Sequence, residues 1–163
     1  MRKVIAIAAG VIVLALVNFN IFQREQLLAE GRVVLLELAP VDPRSLMQGD
    51  YMALRFKVAN DAFRGTEAMR RKDGHIVVAL DKRGVGSFRR FADGTPLAAD
   101  EALLRYRIRN DQPKFATNAF FFQEGHAKVY EAARFGEFRV ARNGDMILTA
   151  MRAADLRLLQ ASP

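Results

Sequence analysis

Hydrophobic residues fall along the chain in two regimes. Residues 4–22 (VIAIAAGVIVLALVNFNIF) form an unbroken apolar run without a charge. At about 1.5 Å per residue this run makes a helix of roughly 28 Å, close to the hydrocarbon thickness of a bilayer. Residues 23–30 (QREQLLAE) keep a helical pattern but turn polar, and Gly31 is positioned to end that helix. From there the period drops to that of strands. Residues 32–38 (RVVLLEL) are an apolar, β-rich run that Pro40 and Pro43 close, because proline cannot continue a ladder. In residues 52–58, Met52, Leu54, Phe56 and Val58 alternate with Arg55 and Lys57, as in a half-buried strand. Asn60 or Asp61 can then cap a short helix, weakened by Gly65, that runs to about residue 71.

Residues 75–80 (HIVVAL) and 85–91 predict strands joined by the turn Asp81-Lys82-Arg83-Gly84. Residues 102–109 (ALLRYRIR) predict another, with Leu104, Tyr106 and Ile108 on one side, and residues 119–122 a short one. Residues 125–134 read as a short helix. Residues 137–141 and 146–151 flank Arg142-Asn143-Gly144-Asp145, and an Asn-Gly pair between apolar runs is a strong hairpin signal. The pattern predicts an α+β, β-rich domain of about seven strands and two or three short helices, preceded by one transmembrane helix. It divides the chain into an anchor at 1–22, a helical stalk at 23–31 and an exported domain at 32–163.

Charge orients this arrangement. Arg2 and Lys3 precede the apolar run, whereas behind it Arg24 is balanced by Glu25 and Glu30. That bias predicts a cytoplasmic N-terminus and a domain on the far side of the membrane. The run is longer than a signal-peptide core of about 7–15 residues, and no small-x-small pattern follows it, so it reads as an uncleaved signal anchor. Asn18 and Asn20 lie near its exported end, at the polar interface or against a partner helix. The net charge is +7, with the basic residues interspersed among Asp and Glu as on a solvated, mildly basic surface. Near a bilayer such a surface is drawn to anionic head groups.

Composition and motifs narrow the chemistry. No cysteine is present, which removes disulfides and thiolate metal sites and leaves packing to hold the domain. No phosphate-binding loop, dinucleotide fingerprint or nucleophile elbow occurs. His126 with Glu124 and Glu131 is the one grouping of possible metal ligands, and a surface helix start explains it equally well. Phe120-Phe121-Phe122 lacks the basic interleaving of a base-stacking platform and reads as a buried strand. No catalytic residue, metal, cofactor or nucleic-acid partner is therefore expected.

The densest segment runs from Pro40 to Phe56. Gly49-Asp50 is a turn that launches a strand: glycine permits positive φ, and the Asp50 carboxylate can accept backbone N–H groups. The Tyr51 ring can pack while its hydroxyl finds a partner, and Arg44 can pair with Asp42 or Asp50. A structural corner explains all of this, and a binding surface is the alternative. Gly49-Asp50-Tyr51-Met52-Ala53-Leu54-Arg55-Phe56 resembles the signature of the GDYXXLXY protein family, with Phe56 in place of the final Tyr. That departure keeps the ring and loses the hydroxyl. The approach through Leu35-Leu36-Glu37-Leu38-Ala39-Pro40-Val41-Asp42-Pro43-Arg44-Ser45 resembles the family's own, as do Phe121-Phe122-Gln123-Glu124-Gly125 and Tyr130-Glu131 further on. The resemblance implies a bacterial, membrane-anchored domain encoded near multi-span membrane proteins, and implies no activity.

A weaker similarity is to signal-peptidase-like folds, echoed by Pro43, Leu46, Gly49 and Asp50. There Pro40 stands where the nucleophile belongs, Ser45 follows the proline, and neither Lys57 nor Lys72 sits in a general-base motif. These readings lead to a non-enzymatic accessory or interaction protein of the inner membrane, with a multi-span membrane protein as partner. The contacts would come from the Gly49-to-Phe56 corner or the segment of Glu124, Gly125 and Glu131. The alternative is an envelope enzyme or ligand-binding domain with a site near Asp50, Tyr51 and Glu124.

Overall fold

A computed structural model describes residues 2–39, 47–48, 51–65, 72–117 and 119–160. Helix α1 (Arg2–Glu30) is continuous over 29 residues and is long and apolar enough to cross a membrane. None of its most apolar window is covered by the rest of the chain. The side-chain amides of Asn18 and Asn20 each donate to the carbonyl four residues earlier, Leu14 and Leu16, at 2.8 Å. Their polarity is therefore satisfied within the helix. The domain begins where Leu27 becomes buried. Gly31 follows the helix and donates its N–H to the Leu27 carbonyl at 2.9 Å. A Cβ on Gly31 would lie 2.3 Å from that same oxygen. Close approach, not a left-handed backbone, is what requires glycine at this corner.

Three antiparallel sheets follow, with eleven strands among the described residues. The first has the order β1 (Arg32–Glu37), β9 (Phe135–Val140), β10 (Met146–Arg152) and β11 (Leu158–Leu159). The second has the order β5 (Gly86–Phe91), β4 (Gly74–Leu80), β6 (Glu101–Arg109) and β7 (Gln112–Phe115). The third is a small ribbon of β2 (Met47–Gln48), β3 (Tyr51–Ala53) and β8 (Ala119–Phe121). Strand β1 stitches them together. Leu35 bridges Val85 just before β5, and Leu38 bridges Phe56 just after β3. At the other side, the Arg105 N–H of β6 donates to the Gly144 carbonyl at the tip of the β9–β10 hairpin, at 2.9 Å. The inward residues of all these strands share one core, with Val34, Leu36, Leu54, Ile76, Leu104, Phe138 and Met151 almost fully buried.

The α+β, strand-rich class agrees with the hydrophobic pattern. The strand count exceeds the expected seven or so because short pieces escape periodicity. Strands β2 and β11 have two residues each. Strand β7 follows a two-residue turn at Asn110-Asp111, both with φ above 50°, as a type I′ hairpin requires. Pro113 is tolerated there because β7 is an edge. Both predicted turns after β4 and β9 close alike: Gly84 and Gly144 adopt φ of +81° and +85° after a type I turn. Two helices differ from expectation. The predicted strand at 52–58 gives way to helix α2 (Lys57–Ala62), so Asn60 and Asp61 lie inside the helix and do not cap it. Val58 and Ala62, one turn apart, supply its buried face. The predicted helix at 125–134 contracts to α3 (Ala127–Tyr130), after Gly125 turns the chain at φ +84°.

Candidate functional site

The family strand is built into the core from Met52 onward. Met52 lies in β3, and Leu54 and Phe56 continue its alternation inward at 2% and 3% exposure. The Phe56 ring meets Phe138 edge to face at 5.3 Å and lies over Gly136 of β9, where a Cβ would come within 3.2 Å of it. The Ala39 N–H donates to the Arg55 carbonyl at 2.8 Å, fixing this strand to the end of β1. A ring at position 56 is thus required by packing, which is why phenylalanine serves where the pattern has tyrosine. Tyr51 opens β3 half-buried, opposite Phe121 of β8, with ring centroids 5.7 Å apart. Phe121 itself is 73% exposed, so the expected burial of all three phenylalanines holds only for the partly covered Phe120 and Phe122. Alternation along β8 forces this, because successive side chains face opposite sides. Pro40, Asp42, Pro43, Arg44, Gly49 and Asp50 lie outside the described residues, as do Ser45 and Leu46.

The second family segment is divided between inside and outside. Tyr130 is buried, with its ring 4.9 Å from Phe120 and 5.2 Å from Phe122. Glu124, Gly125 and Glu131 are exposed around it, and the Gln123 carbonyl accepts the His126 N–H at 3.1 Å to close the turn. The β3–β8 pairing brings Tyr51 alongside this segment, three residues before Glu124. Among the described residues, no group of three His, Asp or Glu side chains is gathered as a metal site would need. Lys57 forms a surface ion pair with Glu37 at 3.0 Å.

Two polar clusters were not anticipated from the sequence. Glu101 is a buried carboxylate held by Arg89 at 3.2 Å, Arg90 at 3.3 Å and the Ala98 N–H at 3.0 Å. Separately, Arg32 donates to the Glu101 backbone carbonyl at 2.8 Å and ties the start of β1 to the start of β6. The arginine partners of the carboxylate sit on β5, across β4 from β6, so the pairing exists only once the sheet has formed.

The other cluster is basic. While Leu104 and Tyr106 point inward from β6, Arg105, Arg107 and Arg109 line its outer face. Lys114 stands directly opposite Arg107 on β7. With Arg24 of α1 they line a cleft of about 310 Å³ whose one carboxylate is Asp145. Asp145 pairs with Arg105 at 3.1 Å, and Asp73 with Arg109 at 3.1 Å. Burial would raise the Asp145 carboxyl, but hydrogen bonds from Arg105 and Asn143 and the charges of Arg105 and Arg24 hold it below the usual aspartate value. Asp73 is lowered chiefly by the Ile108 N–H and then by Arg109. The alternate-residue spacing Arg105-x-Arg107-x-Arg109 was the available signal.

An apolar helix long enough to span a membrane, followed by a small strand-rich α+β domain, defines the class of this chain. A family model described as GDYXXLXY protein matches residues 13–151, so the chain belongs to the GDYXXLXY family. No curated protein and no solved structure matches the chain.

Proposed function

We propose that the chain is a non-enzymatic accessory protein of the bacterial inner membrane that works beside a multi-span membrane partner. Residues 1–22 anchor it with the N-terminus in the cytoplasm, 23–31 form the stalk, and 32–163 form the extracytoplasmic domain. One observation carries this reading. Helix α1 presents nineteen consecutive uncharged residues at 4–22, and no part of the domain covers its apolar window. In water such a surface is unstable, so a bilayer or another apolar helix must cover it. Arg2 and Lys3 at one end and the near-neutral other end support the stated orientation.

Tethering confines the domain to a thin layer at the membrane, where effective concentration lets a modest interface suffice. The exposed Glu124 and Glu131 supply acidic contacts around the buried Tyr130. Affinity purification of the full chain from membranes in a mild detergent tests the reading. A multi-span membrane protein should co-purify, and be lost when Glu124→Gln and Glu131→Gln are combined. Purification without any membrane partner contradicts it.

A further inference from the structure

The basic cleft is electrostatically incomplete. Arg107 and Lys114 face each other directly across the β6–β7 ladder, and like charges so placed repel. Among the described residues neither has an ion-pair partner; Asp73 influences Arg107 but is bound to Arg109. Arg24 adds a further cation, and Asp145, the carboxylate of the cleft, is engaged by Arg105. Of the five cations that line the cleft, Arg105 and Arg109 are engaged by Asp145 and Asp73, which leaves Arg24, Arg107 and Lys114 as a surface suited to a phosphate.

Its position selects the source of that phosphate. Arg24 is two residues beyond the apolar run that ends at Phe22. At about 1.5 Å per residue this is roughly 3 Å along the helix, inside a head-group layer of about 5–7 Å per leaflet. A second cleft, of about 340 Å³, shares Arg24, Ala116 and Met146 with the first. Its lining is mixed: Phe121, Ile147 and Leu148 stand beside Arg24 and Thr117, so apolar side chains adjoin the basic cleft around Arg24. A free phosphate would leave Phe121, Ile147 and Leu148 uncovered, and a nucleic acid has no reason to meet the membrane end of α1.

We infer that the paired clefts at Arg24 bind one anionic phospholipid of the surrounding leaflet. The phosphodiester sits among Arg24, Arg107 and Lys114, and the glycerol and first acyl carbons lie against Phe121 and Ile147. This rests on the reading of α1 as a membrane anchor.

The full chain purified in a non-ionic detergent is titrated with phosphatidylglycerol or phosphatidylcholine, and thermal unfolding is followed. Parallel samples receive inorganic phosphate, glycerol phosphate or a short oligonucleotide. Phosphatidylglycerol alone should raise the Tm. The exposed pair Arg107→Gln and Lys114→Gln should leave the lipid-free Tm unchanged or slightly raised, since a repulsion is removed. It should weaken phosphatidylglycerol binding about fivefold per charge, roughly thirtyfold together. Equal shifts with both lipids overturn the inference, as do an undiminished shift in the double variant or an equal shift with a soluble phosphate or oligonucleotide. A lower lipid-free Tm in that variant also overturns it, since the pair would then be structural. Carbonate extraction of membranes separates the two readings. Release of the chain removes the anchor itself, whereas retention without lipid selectivity removes only the lipid site.

Discussion

Leu54 and Phe56 of the family strand are almost wholly enclosed, whereas Arg105, Arg107 and Arg109 of β6 all lie in solvent. Both segments alternate with the period of a strand, yet the periodicity serves opposite ends. In the first, Met52, Leu54 and Phe56 pack on Phe138, Gly136 or the common core. In the second, the outward residues line a positive cleft, and the family signature does not include them. The described part of the motif, Met52 to Phe56, therefore serves packing, and charged chemistry lies beside it on β6.

The largest effect should separate these regions most clearly. Phe56→Ala removes a ring packed on Phe138 and Gly136 and should cost about 3–5 kcal/mol of stability, measured by denaturant unfolding in detergent. A cost below about 1 kcal/mol would mean that the signature ring is held for binding and not for packing.

A pair of glycines tests the seam between the regions. Gly144 and Gly94 have φ of +85° and +87°, so alanine at either should cost about 1–2 kcal/mol from backbone strain. At Gly144 the added Cβ would also lie 2.9 Å from the His75 ring and 3.2 Å from the Arg105 nitrogen, whereas at Gly94 it meets nothing. Gly144→Ala should therefore lower Tm clearly more than Gly94→Ala. Equal losses would remove the hairpin tip as the link to β6.

Acid should act on the basic face. Asp145 and Asp73 have folded values below the usual aspartate value of 3.8. Protonation is then weaker in the folded state, so their contribution is complete above 3.8 and fades as pH falls through the lower folded values. Asp145→Asn should lower Tm at neutral pH, and the difference from the parent should close in strong acid. A difference independent of pH would show that the carboxylate charge is not what matters there. The smallest effect is expected for Arg107→Gln with Lys114→Gln, within about 0.5 kcal/mol of the parent without lipid.

Much of this fold was legible in local sequence. The charge-free run of 4–22, the alternation of β6 and the glycines after β4 and β9 each carry their signal within a few residues. Boundaries were harder, because Val58 is buried whether it continues a strand or begins a helical turn, and burial alone does not separate the two. The Asn110-Asp111 turn was present in the sequence but was followed by Pro113, which normally argues against a strand. At the candidate site, Leu54 and Phe56 were legible as inward positions, but what they touch was not, since Gly136 and Phe138 lie some eighty residues away. The same holds for Arg24, which joins Arg107 and Lys114 only once α1 has docked through Leu27.

The most direct measurement is of sidedness. Paired reporters fused after residue 163, one active only outside the cytoplasm and one only within it, decide where the domain stands. With residues 1–22 crossing the membrane and the N-terminus inside, the external reporter should be active and the internal one silent. Activity of the internal reporter alone would contradict the account, since it would remove both the proposed partner interface and the outer-leaflet position of the basic cleft.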